Sequence, residues 1–470
     1  MEMINLPDGF KENMKKLLSE EEYELLESSY SEESVSSLRM NPLKKTGNSH
    51  EDLNALFSLE KIPYEETGYY FAKEDNPGRS PYHNAGAYYI QDPGAMVPGA
   101  LLKYHLKKTF GEEIPDLRIL DLCASPGGKS TKIAMSMAGK GILFSNEINR
   151  TRAEVLSENI ERCGIANTLV LNETSASLSE RFAGFFDAII ADAPCSGEGM
   201  FRKDSEAVKQ WSAENVETCV ERQKEILENA YIMLKPGGAL VYSTCTFERS
   251  ENEDRVLELI NIHHDMRVAN IDEFKKSVPG SSDGLEGCAE AMRMWPMHFK
   301  GEGQFAVLLI KDGEGERSIP FGGYESASAL KLKKPLEEFL KNTLKGDTAS
   351  MILDCKDRFR LFGDNLYIMP ADTPSLSGLK VLRCGLHLGS FKKDRFEPSH
   401  AFALFLGEGD VINSVRVNET DAENYVKGMT LEGEGNGWCL VSLGGYSLGW
   451  GKASGGRIKN HYPKGLRVPG

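Results

Sequence analysis

Short apolar runs separated by helix-period stretches dominate the middle of the chain. Runs of strand length at 118–123, 141–146, 169–172, 188–191 and 239–244 alternate with helical patterns at 129–137, 151–163 and 213–234. A helical pattern at 250–263 and a last apolar strand at 305–311 complete the series. Runs apolar on both faces, alternating with amphipathic helices, are what a parallel sheet covered on both sides requires. The pattern therefore predicts an α/β fold, a mainly parallel, doubly wound, Rossmann-like sheet. Lys235-Pro236-Gly237-Gly238 is the stop signal of the longest helix.

The flanks read differently. Residues 10–26 form one amphipathic helical pattern, a strand beginning at 37 is ended by Pro42, and 88–93 reads as a loop entering a helix near 94–104. An N-terminal α+β domain over 1–92 and a sheet domain over 93–313 are expected. Residues 312–323 are polar and contain glycine, as a linker does. Beyond them 336–344 is helical, while 351–369, 379–390 and 401–406 suggest strands, and 444–452 is rich in glycine and aromatics. Two C-terminal domains of mixed or β structure, over 314–378 and 379–470, are expected.

Length bounds this division: 470 residues exceed one core and suit two to four domains. The first residues have no apolar signal region, and no run reaches the ~18 apolar residues of a membrane span. A cytoplasmic protein with no membrane partner is predicted, and a monomer is expected. Nine cysteines without a single C-x-x-C pair argue against a disulfide framework and a zinc site, so no metal is expected. The net charge of −15 speaks against nucleic acid only as a sum. Residues 19–33 are rich in glutamate, whereas the last thirty carry Lys452, Arg457, Lys459, Lys464 and Arg467 with no acid. A local basic patch decides phosphate binding.

Candidate chemistry gathers at strand ends. The strand at 118–123 runs into Cys123-Ala124-Ser125-Pro126-Gly127-Gly128-Lys129, a turn where glycines let backbone approach a ligand and a helix N-terminus aims donors at it. The next strand ends in Glu147, placed to bind ribose hydroxyls. This fits a nucleoside cofactor. NAD is the rival, but the turn lacks G-x-G-x-x-G, and S-adenosylmethionine is favoured because its carboxylate needs only a helix terminus.

Two further strands end in Asp192-Ala193-Pro194-Cys195 and Ser243-Thr244-Cys245. A lone strand cysteine is most often core packing; two at matching strand ends above one crevice point to covalent chemistry. Carbon-5 of cytosine is a weak nucleophile. A thiolate adding at carbon-6 makes it enamine-like and able to accept a sulfonium methyl group. Asp192 is placed to stabilise charge at ring nitrogen N3, and the second cysteine to assist release.

These residues resemble the NOL1/NOP2/Sun family of RNA 5-methylcytosine methyltransferases. Cys123–Lys129 is similar to the family's cofactor turn, Asp192–Lys203 to its motif IV and Tyr242–Thr246 to its motif VI. Arg39–Lys44, Gln91-Asp92-Pro93 and Arg293–Phe305 are similar to its outer motifs. The resemblance implies a methyltransferase sheet, S-adenosylmethionine, Cys245 as nucleophile and Cys195 assisting product release. The ends of the chain are similar to the bacterial RsmF-type branch, which implies 16S ribosomal RNA of the small subunit, near the decoding region, and a PUA-like last domain. Where that family usually places an acid for the adenine, this chain has Asn172-Glu173-Thr174-Ser175, so Glu173, Thr174 or a backbone amide takes its place.

Arg39, Lys44, Arg202 and Lys203 are candidate RNA contacts, with surface charge as the alternative. Tyr446, Trp450, Lys452, Arg457 and Lys459 combine stacking faces with cations, as recognition of unpaired RNA requires. A DNA cytosine methyltransferase and an idle RNA-binding assembly factor remain open alternatives.

Overall fold

The computed structural model describes residues 5–45, 51–325 and 334–467. The amphipathic stretch at 10–26 is two helices, Asp8–Leu17 and Glu20–Ser29. Ser19 separates them through a capping box: its side chain accepts from the Glu22 N–H, and Glu22 reaches back to the Ser19 N–H. A new helix start with its own cap overrides the continuous periodicity. A small antiparallel sheet follows in the order Glu60–Lys61, Gly68–Tyr70, Ser37–Met40, Tyr88–Ile90. Residues 88–90, read as loop, are thus its edge strand, paired through Leu38 and Ile90.

The central sheet has ten strands. Five are parallel and adjacent, in the order Leu234–Thr244, Phe186–Asp192, Arg118–Asp121, Ile142–Asn146, Thr168–Leu171. Gln304–Lys311 pairs antiparallel with Leu234–Thr244, Phe305 opposite Thr244. The first of these strands in sequence, Arg118–Asp121, lies in the middle, so the strand order reverses there and a crevice opens at the carboxyl ends. Nearly every residue of these strands is buried, which is why they read as continuous apolar runs. The Lys-Pro-Gly-Gly signal lies inside Leu234–Thr244, whose start follows the helix Ala213–Met233 directly.

The sheet's far edge is completed from far along the chain: Val381–Cys384 pairs antiparallel with Thr168–Leu171. The next sheet runs Phe359–Phe362, Asn365–Ile368, Leu386–Lys392, Arg395–Pro398. It therefore takes strands from both sides of residue 378, where the sequence pattern suggests a boundary. Residues 401–406 are not a strand: His400–Phe405 is a helix capped by Ser399, with Phe402, Ala403 and Leu404 buried. The last sheet has five strands, Ser414–Val417, Gly437–Leu443, Tyr446–Ser454, Arg457–Asn460 and Leu431–Glu432.

Tyr446 and Trp450 belong to that sheet's core and offer no face for base stacking. Trp450 is 1% exposed, donates its indole N–H to the Ser399 carbonyl at 2.9 Å, and packs on Phe339, Phe402 and Trp438. Tyr446 packs edge-on against Tyr82 of the N-terminal unit. Lys452, Arg457 and Lys459 are exposed on the same sheet. Among the described residues no helix is long and apolar enough to cross a membrane.

Candidate active site

The candidate cofactor turn, residues 123–129, is braced from outside the sheet domain. Arg39 is fully buried, and its guanidinium donates to the Gly128 carbonyl at 2.7 Å, to Thr131 Oγ1 at 2.9 Å and to Gln91 Oε1 at 2.9 Å. It is neither an RNA contact nor a surface charge. A Cβ on Gly128 would meet Gln91 Nε2 at 2.7 Å, so a side chain there would push Gln91 out of this brace. Gly127, at φ +116, turns the chain into the helix Gly128–Met137. Arg152 holds the Ser125 carbonyl at 2.9 Å, Asn159 holds that of Pro126 at 2.8 Å, and the Ala124 N–H bonds the Asn146 carbonyl at 2.8 Å. The turn is held on three sides, leaving the first amides of the helix unpaired within it.

Glu147 is buried at the end of Ile142–Asn146. One carboxylate oxygen accepts the Asn149 N–H at 2.9 Å, while the other lies 3.5 Å from Arg152. Asp121 is also buried: one oxygen accepts from Ser130 Oγ at 2.7 Å and the other has no partner among the described residues. Burial pushes its carboxyl up to about 7 and pushes the neighbouring Cys123 thiol well up. The Thr174 hydroxyl accepts the Ser177 N–H as a helix cap, and the Glu173 carboxylate accepts the Lys380 N–H. Both side chains are thus held by backbone. An anion-binding helix end, a buried carboxylate and an unmet acceptor beside one crevice fit the carboxylate, ribose and ammonium of S-adenosylmethionine.

The two thiols meet. Phe186–Asp192 and Leu234–Thr244 are adjacent parallel strands with Asp192 opposite Ser243, so the loops after them leave side by side. Cys195 Sγ lies 3.3 Å from Cys245 Sγ. The Gly199 N–H donates to the Cys245 carbonyl at 2.8 Å, where a Cβ would sit 2.5 Å from the Gly303 carbonyl. The hydrogen bond to Cys245, then burial, pushes the Cys195 thiol well above its usual range. Asp192 is held by Lys129 Nζ at 2.6 Å, Ser243 Oγ at 2.7 Å and Gln304 Nε2 at 3.2 Å. Lys129, from the cofactor turn, therefore reaches the acid of the thiol site.

Behind the thiols lie Glu198 and Glu251, both fully buried and joined through Ser196 and Thr246. Sequence reasoning missed this pair, together with Ser243 and Gln304. Each glutamate stands shortly after one of the cysteines, and nothing local shows that they meet. Arg202 faces inward and pairs with buried Glu302 at 3.1 Å, while Lys203 lies at the surface and pairs with Asp92 at 2.5 Å. Lys44 donates to the Leu404 carbonyl at 2.8 Å, and burial lowers its ammonium to about 7. None of these cations is a free surface charge.

The crevice, its turn and the doubly wound sheet have the arrangement that an S-adenosylmethionine-dependent methyltransferase requires. Family models match along the chain: the N-terminal domain of 16S rRNA methyltransferase RsmF at 6–93, 16S rRNA methyltransferase RsmB/F at 111–310, the RsmF first C-terminal domain at 338–406 and the RsmF PUA domain at 412–468. The ribosomal RNA small subunit methyltransferase F of Shewanella loihica is 30% identical over 455 residues, 92% of this chain and 88% of that one. That of Aeromonas hydrophila is 31% identical over 427 residues, 87% of this chain and 86% of that one. The chain belongs to this methyltransferase F family. Among solved structures, NSun6 from Pyrococcus horikoshii with SFG, an analogue of S-adenosylmethionine, shares the fold. It has a TM-score of 0.55 at 20% identity and covers 66% of this chain and 100% of that one.

Proposed function

We propose that the protein methylates carbon-5 of a cytosine in 16S ribosomal RNA, near the decoding region, through a covalent bond between Cys245 and the base. The observation that carries this reading is the pair of sulfurs 3.3 Å apart, with Asp192 fixed beside them by the cofactor turn's own Lys129. The relatives' shared name supplies the RNA, and the PUA match supplies an RNA-binding module.

Cys245, as thiolate, adds to carbon-6, and the ring electrons are drawn toward N3. Asp192, ion-paired with Lys129 and held by Ser243, accepts a hydrogen bond from the base's exocyclic amino group and fixes its edge, while the Lys129 ammonium offsets the charge that develops. S-adenosylmethionine supplies an electrophilic methyl group, and Glu147 with the amides of Gly128 and Lys129 orients it over the crevice. Carbon-5 gains the methyl, and its proton must then leave. Cys195, beside Cys245, first gives its own thiol proton to water and as thiolate takes the carbon-5 proton; the carbon-6–sulfur bond breaks, and Cys245 departs as thiolate. The raised Cys195 thiol makes that first deprotonation costly, and its thiolate then holds the carbon-5 proton tightly. The target base must be unstacked to reach this depth.

The experiment mixes Cys195→Ala protein with 16S RNA, small subunits or DNA, each with the cofactor, followed by denaturing gels. An RNA adduct that vanishes in Cys195→Ala/Cys245→Ala supports RNA chemistry and Cys245. A DNA adduct would move the reading to a DNA enzyme. Salt-sensitive RNA binding with no adduct and no transferred methyl would make the protein an assembly factor.

A further inference from the structure

Glu198 and Glu251 are fully buried between the two cysteine-bearing loops. Ser196 Oγ contacts Glu198 Oε1 at 2.9 Å, Thr246 Oγ1 at 2.9 Å and, more closely, Glu251 Oε1. Thr246 Oγ1 also contacts Glu198 Oε2 closely. With Thr246 Oγ1 to Glu251 Oε1 at 3.3 Å, five oxygen–oxygen contacts share the hydrogens of two hydroxyls. Ionised carboxylates only accept, so two of them would leave at most two of the five contacts with a hydrogen, and one carboxyl proton adds a third.

The remaining donors say where the missing proton sits. Glu198 accepts on both oxygens from N–H groups, Trp211 Nε1 at 2.6 Å and the Phe247 amide at 2.8 Å. Glu251 Oε2 likewise accepts from the Ser196 amide at 3.1 Å and Gln223 Nε2 at 2.8 Å. Glu251 Oε1 alone meets only hydroxyls, Ser196 and, at 3.3 Å, Thr246. We propose that Glu251 is a protonated positioning residue whose Oε1 proton, donated to Ser196, ties the Cys195 loop to the Cys245 loop and sets the sulfur spacing.

The surroundings agree. Burial first, then the Glu198 charge, raises the Glu251 carboxyl to about 7. Around the pair stand Tyr30, just after the helix Glu20–Ser29, Cys219 and Gln223 from Ala213–Met233, Tyr242, Glu248 and Cys195. Arg293, the nearby cation, is committed to Glu253 at 2.6 Å and to the Phe247 carbonyl at 2.9 Å. Gln223 also holds the Pro194 carbonyl at 2.9 Å, so Glu251 is linked to both ends of the Cys195 loop.

The role rests on the proposed reaction, but its test has an arm free of it. Diamide oxidises two adjacent thiols to a disulfide, taking up their two hydrogens as it is reduced to the hydrazine. The rate at which Cys195 and Cys245 join, read by mass, therefore reports sulfur spacing. Glu251→Ala is expected to slow joining and methyl transfer about tenfold, Glu251→Gln to recover most of both, and Glu198→Gln to recover neither. The amide of Glu251→Gln can place its NH2 where Oε1–H stood; that of Glu198→Gln must oppose an N–H donor. Glu251→Gln failing as badly as Glu198→Gln, or all variants joining at the wild-type rate, would overturn the proposal. Should Glu251→Ala not fold, the two glutamine variants decide. If wild-type protein methylates no RNA, the proposed function falls while the disulfide arm still reads the proton.

Discussion

Arg39 donates to the carbonyl of Gly128 at 2.7 Å, so a residue of the N-terminal sheet holds the candidate cofactor turn of another domain. Three neutral oxygens and the Met135 sulfur surround one guanidinium, a geometry that a lysine cannot reproduce. Arg39→Ala should cost about 2–4 kcal/mol of stability and weaken S-adenosylmethionine binding, with Arg39→Lys recovering little. Calorimetric titration of the cofactor reads this; unchanged affinity in a folded Arg39→Ala protein would refute the brace.

Lys129 joins the cofactor turn to Asp192. Lys129→Met keeps length but removes the cation, leaving Asp192 with Ser243 and Gln304 alone. Methyl transfer should fall on the order of 100-fold in kcat, by the size of a lost electrostatic contact in a dry site. Single-turnover transfer of labelled methyl checks it, and a change confined to KM would remove Lys129 from the chemical step.

The Glu251 carboxyl has a direct signature in stability. Its folded value, raised from 4.5 to about 7, means the native state binds a proton that the unfolded chain has lost. Stability from this group is therefore fully present below about pH 4.5 and lost as pH rises toward about 7, by about 3 kcal/mol at most. Glu251→Gln cannot titrate. Urea denaturation across that window should show wild-type stability falling relative to the variant, and parallel curves would contradict the shift.

The last sheet separates packing from RNA contact. Trp450→Ala should cost about 3–5 kcal/mol, since its indole fills the core between that sheet and the helix His400–Phe405. Charge reversal at Arg457 and Lys459 should leave the melting temperature in place and lower RNA affinity, with a salt dependence shallower by about one per lost phosphate contact. Filter binding at several salt concentrations decides; an unchanged slope would place the RNA elsewhere.

The central strands were legible because a strand buried on both faces must be apolar throughout, and the cofactor turn because glycine and proline impose their backbone locally. The two cysteines were legible as strand-end residues. Their 3.3 Å meeting depends on Phe186–Asp192 and Leu234–Thr244 being neighbours in the sheet. Local periodicity says that a face is buried, not which distant segment covers it. It could not show that Val381–Cys384 closes the sheet's edge or that Ser19 splits the first helix. Charged residues were the least legible. Arg39, Lys44 and Arg202 look like surface cations in sequence, yet their donors are taken up by carbonyls, amides and carboxylates far along the chain. Burying such a group is tolerable only when those partners are in place, and tertiary structure alone brings them there.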